Sequence, residues 1–351
     1  MTPLVSVVTR TLGRPSLADV AACLAAQTHR PLEWIVVNAS GAPLPPMPDA
    51  GGVPITLVDR GVRLLRSPAL AAGLDAVTGR YALILDDDDL IRPEHIGALV
   101  ALLAARTDVR AAYSDADAWD AEDVVGDRYR FEFSRLLLCR RNLFPPHAVL
   151  FEASLVQRDG CRVDEALDYF EDWDLWLQLA AHTGFARHPQ PTAIYRTYLS
   201  QSGVQGGAPP AALPRMEADL ARVLARGADV RRMLEADYDR VLQQAFAAQA
   251  RGDLSTAASH YVEALRLDPV DVDTLGRYAE LAMQIGDVGL ARRCLDYAVE
   301  LEPEEPTAHW NRAIVLDACG LRDEAAASRQ RALALDPTLA AQAGGTDTAG
   351  A

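Results

Sequence analysis

Gly79-Arg80-Tyr81-Ala82-Leu83-Ile84-Leu85-Asp86-Asp87-Asp88-Asp89 is the stretch that decides the fold. Gly79 stops whatever precedes it, residues 81–85 are a short apolar run suited to a buried strand, and four carboxylates follow at once. Such a run is costly unless neutralised, and a divalent cation carrying a diphosphate does this with hard oxygen ligands. Toward the N-terminus, residues 4–9 form a β-branched run, and Gly13, Arg14 and Pro15 mark a turn. Ser16 with Asp19 is a capping pattern for a helix carrying Leu17, Val20, Ala21 and Leu24 on one face. Residues 33–37 and 55–58 predict two more strands, separated by a Pro-rich loop at 42–54, and residues 66–77 predict a helix. Strands and helices alternating at this spacing indicate βαβ units in a mainly parallel, Rossmann-like sheet. Ligands bind beyond the carboxyl ends of such strands. Thr9, Asn38, Asp59 and residues 86–89 all fall there, so one cleft is expected to collect them.

Further along, Tyr169-Phe170-Glu171-Asp172-Trp173-Asp174-Leu175-Trp176-Leu177 predicts a helix with Leu175, Trp176 and Leu179 facing a core. Glu171 and Asp172 sit at its start, where the partial positive charge of the helix favours anions. They can serve as caps, or one can act as a general base toward an acceptor hydroxyl.

The chain has 351 residues, enough for two domains, with a globular balance of 50% hydrophobic and 24% charged residues. A formal net charge of −15 argues against nucleic acid as partner. Cys23, Cys139, Cys161, Cys294 and Cys319 are scattered without metal-ligand spacing and read as reduced thiols. Neither a leader-like N-terminus nor a run of about 18 apolar residues occurs, so a cytoplasmic protein is expected. Residues 133–144 combine Leu136, Leu137 and Leu138 with Arg135, Arg140 and Arg141. They read as a partly buried segment, with a peripheral contact at the inner membrane face as the alternative.

The last third is periodic. Gly252, Gly286 and Gly320 are 34 residues apart, as are Ala257, Ala291 and Ala325, then Ala264, Ala298 and Ala332, Leu267, Leu301 and Leu335, and Pro269, Pro303 and Pro337. This is the period of tetratricopeptide repeats, in which stacked helix pairs bury what one pair cannot. Three repeats are expected at 238–271, 272–305 and 306–340, after a connecting helical linker at 214–237 and before a disordered tail at 341–351. Residues 200–214 read as a loop.

Val5-Ser6-Val7-Val8-Thr9, Gln27-Thr28, Glu33-Trp34-Ile35-Val36-Val37, the 79–89 stretch and Glu171-Asp172-Trp173-Asp174-Leu175-Trp176-Leu177 together resemble the ordered motifs of family 2 glycosyltransferases. The resemblance covers residues 1 to about 205. It implies an α/β GT-A catalytic domain at 1–213, followed by the all-α repeat domain. It also implies a nucleotide-diphosphate sugar donor, Mn2+ or Mg2+, and inverting transfer to an acceptor hydroxyl on a glycan, a lipid-linked glycan or a protein. By this resemblance Asp86-Asp87-Asp88 is the D-x-D element. Asp88 is the direct metal ligand with Asp86 beside it, and Asp86 and Asp87 face ribose or sugar. Asp172 is the base, Thr9 lies near the nucleoside, Arg196 steadies the diphosphate, and His147 and Glu171 lie on the acceptor side. The chain departs from the pattern at Asn38-Ala39, where two acids are common, and at Tyr198, where a histidine is common. Asn38 can still meet a base edge through its amide, and Asp59 can stand in for a missing acid.

Two functional readings follow. In the first, the cleft transfers sugar and the repeats bind a protein partner or a second copy of the chain. In the second, the repeats are the working part and the N-terminal fold is a scaffold indifferent to Asp88 and Asp172. A nucleotidyltransferase would want a Gly-rich basic loop after the first strand, and residues 9–15 offer only Gly13 with Arg10 and Arg14.

Overall fold

The computed structural model describes residues 2–120, 125–199 and 210–339, so the expected tail and residues 200–209 of the expected loop lie outside the described residues. Two compact units divide the chain, Met1–Arg231 and Arg232–Ala351. The first begins with strand β1 (Val5–Thr11), helix α1 (Leu17–Ala26), β2 (Leu32–Asn38), β3 (Ile55–Asp59), α2 (Arg66–Asp75) and β4 (Tyr81–Ile84). After the acidic turn come β5 (Leu90–Ile91), α3 (His95–Ala105), β6 (Ala111–Trp119), β7 (Val125–Tyr129), α4 (Arg135–Leu138), β8 (Val149–Glu152), α5 (Ser154–Gln157), α6 (Glu171–Leu179) and β9 (Phe185–Arg196).

These strands form one sheet in the order β3-β2-β1-β4-β8-β6-β9-β5, with β7 added beside β6. The segment β3-β2-β1-β4 is parallel throughout. Every residue of β1 is buried, as a central parallel strand covered on both faces requires. Helix α2 packs so closely that a Cβ on Gly73 would fall 2.4 Å from Val8 Cγ1. Beyond β4 the mostly parallel sheet becomes mixed. β8 runs antiparallel to both β4 and β6, β5 is antiparallel to β9, and β6 with β9 is again parallel. Ser16 stands before α1 but makes no side-chain cap. Residues 136–138 are buried, in keeping with a partly buried segment at 133–144.

The rest of the chain is a succession of helices. One helix, α7 (Leu213–Ala250), begins in the first unit, continues into the second, and covers the expected linker and the first part of the expected repeats. α8 (Leu254–Leu267), α9 (Val272–Gln284), α10 (Val288–Leu301), α11 (Pro306–Ala318) and α12 (Arg322–Leu335) follow. The 34-residue register has a physical reading. Gly252, Gly286 and Gly320 each hold φ near +80° between helices, where a side chain is strained. The two alanine registers are fully buried at all six positions. Asp253 and Asp287 cap α8 and α10 by accepting from Thr256 N and Leu290 N, whereas Leu321, one period later, gives α12 no such cap. No helix among the described residues is long and apolar enough to cross a membrane.

Candidate active site

The carboxyl ends of β1, β2 and β4 open into a cavity of about 300 Å3 lined by Thr11, Arg14, Ala39, Arg63, Arg66 and residues 86–88. A second cavity of about 450 Å3 shares Arg66, Asp86 and Asp88 with it and extends along the start of α6. The four carboxylates therefore stand at the junction of two chambers.

Their charges are not equivalent. Asp86 is clamped by Arg10, whose Nε and Nη2 donate to its two oxygens at 2.8 and 2.5 Å. Arg10 Nη1 also donates to Glu171 at 2.6 Å, and Arg66 Nε reaches the same Glu171 oxygen at 3.2 Å. Burial opposes the charge on Arg10, but Asp86 and Glu171 outweigh it and raise its pKa. Burial likewise works against Asp86 and Glu171, and the arginines prevail and hold both below the usual carboxylate range. Asp87 accepts from Thr11 Oγ1 at 2.6 Å and from Arg14 at 3.2 Å. Asp89 accepts from Arg196 N at 3.2 Å, with His147 Nδ1 3.0 Å away.

Asp88 differs. Burial, then the charges of Asp89, Asp86 and Asp87, push it up to about 7, opposed by Arg14, which donates to it at 2.9 Å. A carboxylate crowded by three others and facing both chambers has the donor chemistry to take a hard cation. Among the described residues no group of three or more His, Cys, Asp or Glu is arranged to hold a metal by itself. The expected second ligand, Asp86, is committed to Arg10. What fits is the mode in which Mg2+ is held by one carboxylate together with substrate phosphates.

Asp172 lies half-buried in the second chamber. Its Oδ1 accepts from Trp173 N at 2.8 Å and its Oδ2 from Asn142 Nδ2 at 3.0 Å. Burial, then the charge of Glu171, raises its pKa to about 6. The turn that delivers it is strained. Phe170, immediately before α6, holds φ at 63°, a left-handed conformation that costs a non-glycine residue on the order of 1 kcal/mol. Trp173 pins α6 to the last residue of α4 by donating to Leu138 O at 2.7 Å.

The other expected positions have these surroundings. Thr9 is fully buried two residues inside β1, where its hydroxyl accepts from Trp34 Nε1 at 2.9 Å, so Thr11 occupies the strand end instead. Asn38 donates its amide to Ala42 O and Asp59, while its carbonyl accepts from Ser40. Asp59 accepts from Gly61 N as well as Asn38, and neither Asn38 nor Asp59 lines the cavity. His147 is wholly buried behind Asp89, stacked near Tyr195 at 6.4 Å, and does not face an acceptor. Arg196 donates to Asp88 O and Asp19, so it braces the acidic turn from behind. Glu171 borders the second chamber but is bound up in ion pairs. Sequence reasoning missed the Arg10 clamp, Arg66 and Asn142. The surplus of acid at 86–89 was the available signal, since buried carboxylates demand cations.

Residues 6–121 match Glycosyl transferase family 2. The uncharacterized glycosyltransferase YwdF of Bacillus subtilis (strain 168) is 26% identical over 205 residues, covering 54% of this chain and 73% of that protein. TarS 1-349 of S. aureus is similar over 96% of this chain and 91% of its own, at 11% identity and TM-score 0.47. An O-GlcNAc transferase mutant from Thermobaculum terrenum is 31% identical over 30% of this chain, at TM-score 0.28, and the chain covers 20% of its length. On the sequence match over 6–121, the stretch that carries the strand ends and the acidic turn, the N-terminal domain of this chain is a glycosyltransferase domain of family 2.

Proposed function

We propose that this domain transfers a sugar from a nucleotide-diphosphate donor to an acceptor hydroxyl by inverting displacement, with Asp172 as base. The supporting observation is the junction at Asp86 and Asp88 between a chamber lined by Arg14, Arg63 and Arg66 and a chamber holding Asp172. The arginine-lined chamber suits a diphosphate, because guanidinium forks pair with phosphate oxygens. In the second, Asp172 takes the acceptor's proton as its oxygen bonds to the anomeric carbon and the bond to the diphosphate oxygen breaks. Trp173 N and Asn142 hold the carboxylate in one orientation. Asp88 would hold a Mn2+ or Mg2+ that arrives with the donor, and the ion would offset charge on the departing diphosphate.

The second unit is read as three tetratricopeptide repeats at 238–340 that recruit a protein partner or a second copy. The 34-residue spacing of the helix starts Leu254, Val288 and Arg322 supports this reading. The catalytic domain is taken as 1–213.

Nucleotide release from a panel of nucleotide sugars, with and without Mn2+ or Mg2+, tests the transfer reading. Wild type is expected to respond to one donor in a metal-dependent way. Asp88→Ala should lose about 100-fold or more, the scale of removing a stabiliser of leaving-group charge. Release that ignores both metal and Asp88 contradicts the assignment, and silence toward every donor favours the scaffold reading.

A further inference from the structure

We propose that the acceptor carries an anionic group, a phosphate monoester or diester or a carboxylate, close to the hydroxyl that is glycosylated, and that Arg140 and Arg141 bind it. The inference rests on the sugar-transfer reading and names the acceptor class for that site. Both arginines line the second chamber, the one that contains Asp172, and neither lines the arginine-rich donor chamber. They are fastened to the base from both sides in sequence. Leu138 O accepts from Trp173 Nε1 at 2.7 Å, and Asn142 donates to Asp172 at 3.0 Å. The dipeptide therefore lies one residue from the side chain that touches the base, so an anion bound there brings its neighbouring hydroxyl to Asp172.

Arg141 is held for this task. Its guanidinium lies over the Phe131 ring, 4.4 Å from the centroid, and it has no carboxylate partner among the described residues. Stacking fixes the plane of the fork while leaving its edge N–H groups to pair with two anion oxygens. Tyr129, Tyr169 and Phe170 on the same wall offer flat surfaces for the rest of a sugar or polyol.

The test uses the full chain with whichever donor gives nucleotide release. Acceptors are offered in matched sets: glycerol, glycerol 3-phosphate and glycerate, then glucose, glucose 6-phosphate and glucuronate. Wild type should favour the charged member of a set by about 10- to 100-fold in kcat/KM, the range for a charge-assisted pair. The phosphate and carboxylate arms tell which anion is taken. Arg141→Ala should collapse that preference, Arg141→Gln should do the same while keeping a flat group on Phe131, and Arg141→Lys should restore part of it. Equal use of charged and neutral acceptors, or a preference that survives Arg140→Ala combined with Arg141→Ala, overturns the inference while leaving sugar transfer standing. A variant that raises the donor KM and keeps the anionic preference also overturns it, because the arginines then serve the diphosphate. Wild type that releases nucleotide from no donor overturns the transfer reading itself, and the acceptor assignment falls with it.

Discussion

Asp172→Asn is expected to lower acceptor-dependent transfer by about 1,000-fold, within the range for loss of a positioned general base, while donor affinity stays nearly unchanged. The selectivity follows from geometry. Asp172 lines the second chamber, proposed for the acceptor, and does not line the arginine-rich chamber proposed for the diphosphate. The fold should tolerate the change. Trp173 N still finds an oxygen acceptor, and Asn142 can turn its amide so that its Oδ1, which has no partner among the described residues, receives the new N–H. Stability at neutral pH should not fall. The folded pKa of about 6 exceeds the value near 4 of an unfolded aspartate. The native state therefore holds extra protons between those values, and the favourable contribution is lost as pH rises through about 6. At pH 7 the buried charge is a burden that the substitution removes. Steady-state kinetics with donor titration checks the split, and equal losses in turnover and donor affinity would sink the base assignment.

Arg10→Met is expected to have the largest structural effect. It leaves Asp86 and Glu171 buried, with side chains 13% and 2% exposed, beside only the partial help of Arg66 at 3.9 and 3.2 Å. Breaking one partner of a buried ionic network costs about 3–5 kcal/mol. Arg66 places this case near the lower end, or roughly a 10 °C fall in melting temperature for a unit of this size. The pH dependence has a definite sign. Asp86 and Glu171 have depressed pKa values, so their stabilisation is present above about pH 4 and is lost as pH falls through their folded values. The gap between wild type and variant should therefore narrow in acid. Thermal melts at pH 7 and pH 3.5 measure it, and a gap that widens in acid, or no gap at neutral pH, would remove the clamp from the account. Arg10→Lys should fare better than Arg10→Met but fall short of wild type, since one ammonium cannot span both carboxylates as the guanidinium fork does.

Arg10 also shows where sequence reading stops. The parallel half of the sheet was legible because residues 4–9, 33–37 and 81–85 are largely apolar runs, the mark of buried parallel strands, while 55–58 carries a similar run on the largely exposed strand β3. The other half left none. β6 reads Ala-Ala-Tyr-Ser-Asp-Ala-Asp-Ala-Trp yet is buried almost throughout as an inner strand between β8 and β9, with its Asp115 paired at 2.7 Å to Arg187, 72 residues away. β9 contains Pro189 and Pro191, which argue against a paired strand, and the register shifts beside Asp115 absorb them. Asp172 was legible as a candidate because it sits in a local motif with a helix start. The partners that tune it were not, since Asn142 lies 30 residues away and Arg10 meets Glu171 across 161. The misplacement of Thr9 came from ending β1 two residues early, and a two-residue error returns to the same face but not to the strand end.

The most direct test of the central claim, that Asp172 acts as the base of a sugar transfer, is the pH dependence of wild-type kcat/KM for the acceptor at saturating donor. With Asp172 near 6, the rate should fall about tenfold per pH unit below that value and be level above it. A rate that stays level from pH 8 down to pH 5, with the fold intact, would contradict the claim.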